Sequence, residues 1–173
     1  TSVVSGGTVT LNINPLTTIA AQKAGLAADG SGSLTDAAAV TNANAAVADA
    51  FGLADLTGTT VVPTNGGGYD STDGLSAGEK YGVILAALSG ADFANSGSSQ
   101  DVINALVAAL DASGAGGTLS AAGQSALIAG AALVDSDFIA EVINIVRGAA
   151  AVPPAPTFNA VAGDNIINAD EVG

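Results

Sequence analysis

Along residues 8–14 apolar and polar side chains alternate, with Val9, Leu11 and Ile13 set against Thr10, Asn12 and Asn14. A period of two is the pattern of a half-buried β-strand. Pro15 ends it, because proline has no N–H for a neighbouring strand while its fixed φ suits the first turn of a helix, and Asn14 is a good helix cap. The pattern therefore predicts a short N-terminal strand that hands over to a first helix. That helix should run from Pro15 to about Ala28 and close at the run Asp29-Gly30-Ser31-Gly32-Ser33.

The period then changes to that of helices. A second helix is expected with Asp36 or Thr41 as its cap, Val40, Val47 and Phe51 on its apolar stripe and Gly52 at its end. Ser76-Ala77-Gly78-Glu79 has the spacing of a capping box, in which the serine and glutamate side chains each satisfy the other's backbone N–H. Behind it Tyr81, Ile84, Leu85 and Leu88 fall on one face of a third helix. Ile103, Leu106, Val107 and Leu110 repeat that spacing in a fourth helix over 99–110, which Gly114-Ala115-Gly116-Gly117 should break. Ser120 caps a fifth helix through about Val134. Asp135-Ser136-Asp137 opens a sixth, whose stripe of Phe138, Ile139, Val142, Ile143, Ile145 and Val146 is wide enough to be expected as the most buried surface. Between the second and third helices lies the connection Leu53 to Leu75. Loops of that length inside a compact domain are usually functional or mobile, which makes it the first place to look for a ligand.

After Ala151 the grammar changes again. Val152-Pro153-Pro154-Ala155-Pro156 reads as a stiff linker, and residues 157–173 as an extended tail with short alternating stretches. The division expected is a helical module with its strand over 1–151, a linker over 152–156 and a tail over 157–173. The fold class is mainly α: a bundle of about six helices, a short N-terminal β-strand and an extended C-terminal β tail. Such a tail either belongs to a following module or pairs with the N-terminal strand, since one strand cannot bury its apolar side alone.

Composition narrows the chemistry. The 173 residues include four Phe, two Tyr and no Trp, Met, Cys or His, so the core must be built from Leu, Ile and Val interleaved with 38 alanines. Helices faced with alanine can approach to the short end of the usual interaxial range, roughly 8 Å. Without His and Cys there is no Ser-His or Cys-His nucleophile, no disulfide and no usual zinc or copper ligand set. The glycine runs lack the lysine and hydroxyl of a phosphate-binding loop, and no aromatic platform accompanies the acids as in a sugar-cleaving cleft. The reading is that the chain is not an enzyme.

Charge narrows the partners. Three cations, Lys23, Lys80 and Arg147, stand against sixteen acids, for a net charge of −13. That balance repels phosphate backbones and anionic lipid heads, so no nucleic acid is expected as a partner. No unbroken apolar run is long enough to span a bilayer, so no membrane insertion is expected either. Neither a leader segment nor an initiator Met is seen, and a chain running from Thr1 to Gly173 is expected to be a segment of something longer. Aspartate outnumbers glutamate thirteen to three, which favours turns, caps and oxygen-rich sites for a hard cation. Calcium is the ion that fits, with Asp70 and Asp73 in the long loop and Asp164, Asp170 and Glu171 in the tail as candidate ligands. None of these matches the EF-hand spacing. Loop solvation competes for the first pair, as helix capping does for Asp135 and Asp137.

The segments Ile13-Asn14-Pro15-Leu16-Thr17-Thr18-Ile19-Ala20, Asn42 to Leu53 and Lys80 to Ser89 together resemble a helical module of very large, repetitive bacterial surface proteins. The stretch from Pro156 to Glu171 resembles the opening of an Ig-like repeat in Bap-like and RTX-type adhesins. The resemblance implies an extracellular protein of the bacterial cell surface, secreted by type I export, that binds calcium where its Ig-like repeats join. It places calcium ligands at Asp164, Asp170 and Glu171. It implies a non-catalytic spacer or presenter of ligand-binding domains in cell attachment and biofilm formation, with neighbouring modules of the same chain as partners. The alternative is a head module that itself captures a peptide or sugar on a host or other surface, in the extreme an ice-binding adhesin. A pocket in the long loop with Tyr69 or Tyr81 on its wall would favour the head, and burial of both tyrosines the spacer.

Overall fold

The computed structural model describes residues 12–147. Six helices and one hairpin follow in order: α1 Pro15–Lys23, α2 Ala37–Ala50, α3 Ala77–Ala94, α4 Ser99–Ala109, β1 Leu110–Ser113, β2 Gly116–Leu119, α5 Ala121–Val134 and α6 Phe138–Arg147. The expected strand over 8–14 and the tail after Ala151 lie almost wholly outside the described residues. Asn12 and Ile13, at the end of that strand pattern, are not in a strand, and Ile13 is 89% exposed rather than turned into the core.

The helix starts follow from local chemistry. Asn14 accepts from the N–H groups of Leu16 and Thr17 at 3.0 and 3.2 Å, while the Thr17 hydroxyl accepts from the Asn14 N–H at 3.0 Å. Asp36, and not Thr41, caps α2 through the N–H groups of Ala38 and Ala39. Ser76 with Glu79 forms the capping box of α3, and Ser120 caps α5. The end of α1 comes earlier than expected, at Lys23, because Gly25 takes a φ of +112° that turns the chain out of the helix.

α3 is the spine of the core. Tyr81, Val83, Ile84 and Ala87 are fully buried and Leu88 nearly so, and the helix packs most extensively on α5. This corrects the expectation for α6. Only Phe138, Val142 and Ile145 of its stripe are buried, while Ile139, Ile143 and Val146 are half-buried, because α6 lies against α5 and α3 on one side only.

The Gly114–Gly117 run does more than break a helix. It closes an antiparallel hairpin in which Leu110 pairs with Leu119 and Ser113 with Gly116, across a two-residue turn with Gly114 at φ +61°. The hairpin lies on α2. A methyl at Gly117 would collide with the Ala46 carbonyl, and the Gly117 N–H donates to Asp49 Oδ2 at 3.0 Å.

Candidate functional site

The connection from Leu53 to Leu75 contains no helix or strand, as its sequence predicts, yet it is anchored along its length. Leu56 is fully buried in the core and Leu53 nearly so. The Leu56 carbonyl accepts from Asn12 Nδ2 at 3.0 Å and from the Tyr81 hydroxyl at 3.1 Å. Asp55 folds the next turn by accepting from Thr57 N–H, Thr57 Oγ1 and Gly58 N–H, and the Thr57 N–H bond leads in holding its carboxyl below the usual range. Residues 60–62 then cross the first turns of α3. The Val62 N–H donates to the Gly78 carbonyl at 3.0 Å, and methyl groups at Gly78 or Gly82 would run into the carbonyls of Thr60 or Val62. Two glycines one turn apart leave a shallow track that fits the bare backbone of the loop.

Glu79 holds the far end of the loop. One carboxylate oxygen accepts from the Asp70 N–H at 2.9 Å and the other from the Ser76 N–H at 2.8 Å, and the residue is only 8% exposed. The Ser76 side chain, then the backbone N–H groups of Asp70 and Ser76, hold its carboxyl below the usual value of 4.5. Asp70 itself accepts from the Thr72 N–H and hydroxyl at 2.9 and 2.7 Å, which lowers its pKa.

The sequence-predicted site residues are thus distributed as follows. Asp70 and Asp73 line one open cleft of about 990 Å³ together with Glu79, Lys80, Glu141 and Asn144, between the end of the loop, the start of α3 and the outer face of α6. Among the described residues no group of three or more carboxylates is placed to hold a metal ion, so Asp70 and Asp73 share a wall without forming a cage. Asp164, Asp170 and Glu171 lie outside the described residues.

Neither tyrosine is on the wall of that cleft. Tyr81 is fully buried, donates to Leu56 O and accepts from Asn14 Nδ2 at 2.9 Å. Burial pushes its hydroxyl pKa up, with the Asn14 bond acting in the opposite direction. Tyr69 is half-buried and meets the Phe138 ring edge-on, at a centroid distance of 5.9 Å and 79° between planes. Burial, followed by the charge of Glu141, raises its pKa. Asn14 is the residue whose second role the sequence leaves unread: one side chain caps α1 and also reaches the Tyr81 hydroxyl, a partner 67 positions away. Its only sequence signal is the cap.

An apolar groove of about 440 Å³ also runs between α4 and α5, floored by Ala91 and Leu106 and walled by Val102, Ala105, Ala126 and Ala129. No helix among the described residues is long and apolar enough to cross a membrane. Compared with protein-family models, with characterised proteins and with solved structures, the chain matches none.

Proposed function

We propose that the chain is a non-catalytic helical module of a large, calcium-dependent bacterial surface adhesin, acting as a spacer or presenter of neighbouring ligand-binding domains. The observation that carries this reading is the state of the long loop. Its backbone is seated on Gly78 and Gly82 of α3, Tyr81 and Glu79 are engaged with the chain itself, and Tyr69, half-buried on Phe138, stands off the wall of the acidic cleft. A loop fixed in this way serves rigidity better than capture. The excess of carboxylates suits a module exposed to a calcium-containing medium, with Asp164, Asp170 and Glu171 as proposed ligands at the junction with the next module.

The experiment is a module exchange in the parent adhesin. Replacing this module by an unrelated rigid helical unit of similar length should leave cell attachment unchanged. Loss of attachment, with surface display intact, would transfer the binding role to the module itself. The acidic cleft between the loop and α6 would then be the place to seek the ligand.

A further inference from the structure

The loop between α2 and α3 presents an edge of backbone that its own packing leaves open. The carbonyls of Thr60 and Val62 face α3, where methyl groups at Gly78 and Gly82 would run into them, and the Val62 N–H donates to the Gly78 carbonyl at 3.0 Å. Glycines four positions apart on a helix are separated by about 6 Å along its axis, and carbonyls two positions apart in a strand by about 6.6 Å, so residues 60–62 cross α3 as extended chain. In such a chain the backbone groups of alternate residues point to opposite edges. Those of Thr59 and Val61 therefore face away from α3. Among the described residues, the Thr59 N–H and the N–H and carbonyl of Val61 have no hydrogen-bond partner.

One segment of the chain is led to that edge. Asn12 Nδ2 lies among the carbonyls of Leu56, Thr57 and Thr59, at 3.0, 3.5 and 3.1 Å. Asn14 Nδ2 reaches the Tyr81 hydroxyl, which itself donates to the Leu56 carbonyl. Going back from Asn14 to Asn12 thus goes forward from Leu56 towards Thr59, so the two stretches run antiparallel. Continued at the same spacing, Leu11 falls opposite Thr59 and Val9 opposite Val61.

We propose that the edge of residues 59–62 is the docking surface for residues 8–11 of the same chain, paired antiparallel with Val9 opposite Val61 and Leu11 opposite Thr59. The sequence bounds this ladder at its far end: Pro63 has no N–H for a further bonded pair, and Gly6-Gly7, which would meet it, ends the apolar alternation. The faces agree as well. Val9 and Leu11 stand beside the half-buried Val61 and Thr59, with Val61 packed against the core, and Thr10 stands beside the exposed Thr60. Residues 157–161 share the alternation, but they begin ten positions beyond Arg147, whose side chain is tied to Gln124 on α5, whereas Leu11 adjoins a residue already bonded at the edge. A two-stranded ribbon is marginal by itself; here Asn12 fixes one end of it and α3 holds the other edge of its inner strand. The inference depends on neither calcium nor an adhesin parent.

The test is NMR of the isotope-labelled full chain. An amide–amide NOE between Val9 and Val61 and an Hα–Hα NOE between Thr10 and Thr60 are expected, the signature of a hydrogen-bonded pair beside a non-bonded one. The Val61 amide should exchange slowly with solvent. In Val9→Pro, which removes the N–H that meets the Val61 carbonyl, it should exchange at least about tenfold faster. The Val62 amide, held by the Gly78 carbonyl, should keep its rate and so report that the variant is folded, and the NOEs of the unaltered chain decide the matter even if it is not. Absence of these NOEs, NOEs in another register, NOEs from Val61 to residues 157–161, or a Val61 amide indifferent to Val9→Pro in a folded chain would each overturn the proposal.

Discussion

Gly90 on α3 and Gly130 on α5 meet at the closest approach of the two helices, where a methyl on either would land on the backbone of the other. Backbone cannot swing aside as a flexible side chain can, so Gly90→Ala must push the helices apart and open space among Leu88, Leu127 and Ala131. The expected cost is about 2–3 kcal/mol of unfolding free energy in urea, while Gly67→Ala, with nothing near its added methyl, should stay within about 1 kcal/mol of the parent. Glu79 gives a prediction in pH. Its folded pKa is depressed below 4.5, so its contribution is fully present above that value and is lost as pH falls through the folded pKa. Below about pH 4.5 the parent should therefore lose stability more steeply than Glu79→Gln, as read by urea midpoints across an acid series. Parallel slopes would mean that the Ser76 side chain and the two backbone N–H groups favour the charged Glu79 carboxylate no more than the neutral acid.

At the scale of elements, the caps carry the most readable part of the fold. Asp36, Ser76 and Ser120 each bond within three residues of themselves, so the sequence alone places the starts of α3 and α5 and narrows that of α2 to Asp36 or Thr41. The hairpin was hidden for the opposite reason. Asp111, Ala112, Ser113, Gly116 and Gly117 show no apolar alternation, and what holds them is the fit of bare backbone against Ala46 and Asp49 of α2. The same holds for the loop on Gly78 and Gly82, which depends on neighbours far along the chain. A stripe likewise shows only that a helix has an apolar face, not how many elements will cover it, which is why α6 is less buried than α3. Asn14 joins both kinds of information, as a local cap and a distant partner of Tyr81. Asn14→Ala should lower stability by about 1–2 kcal/mol, the upper end for a cap because the Tyr81 hydroxyl also loses a donor. A thermal melt against Asp36→Ala, a cap with no such second bond, separates the two contributions.

For the molecule as a whole, sixteen acids against three cations make self-repulsion a standing cost of the folded state. Raising NaCl from about 10 to about 300 mM should raise the Tm by screening alone, as the Debye length falls from about 30 Å to under 10 Å. The proposed calcium role requires more than this. Calcium chloride at matched ionic strength should raise the Tm of the full chain beyond both sodium and magnesium, and the added increment should vanish when Asp164, Asp170 and Glu171 are replaced by their amides. An increment that survives those replacements would move the ion to the described residues, with the cleft of Asp70 and Asp73 as its nearest candidate. Coincidence of the three salts would reduce calcium to a screening ion.

The placement of the three basic residues has a further consequence. Lys23 closes α1, Lys80 lies in the second turn of α3 and Arg147 ends α6, and the long loop between α2 and α3 contains none. A trypsin-like protease must thread an extended segment through its cleft, and of the bonds it recognises the one after Lys80 lies inside a helix. The longest irregular stretch among the described residues therefore holds no bond that such enzymes can cut, whatever its exposure.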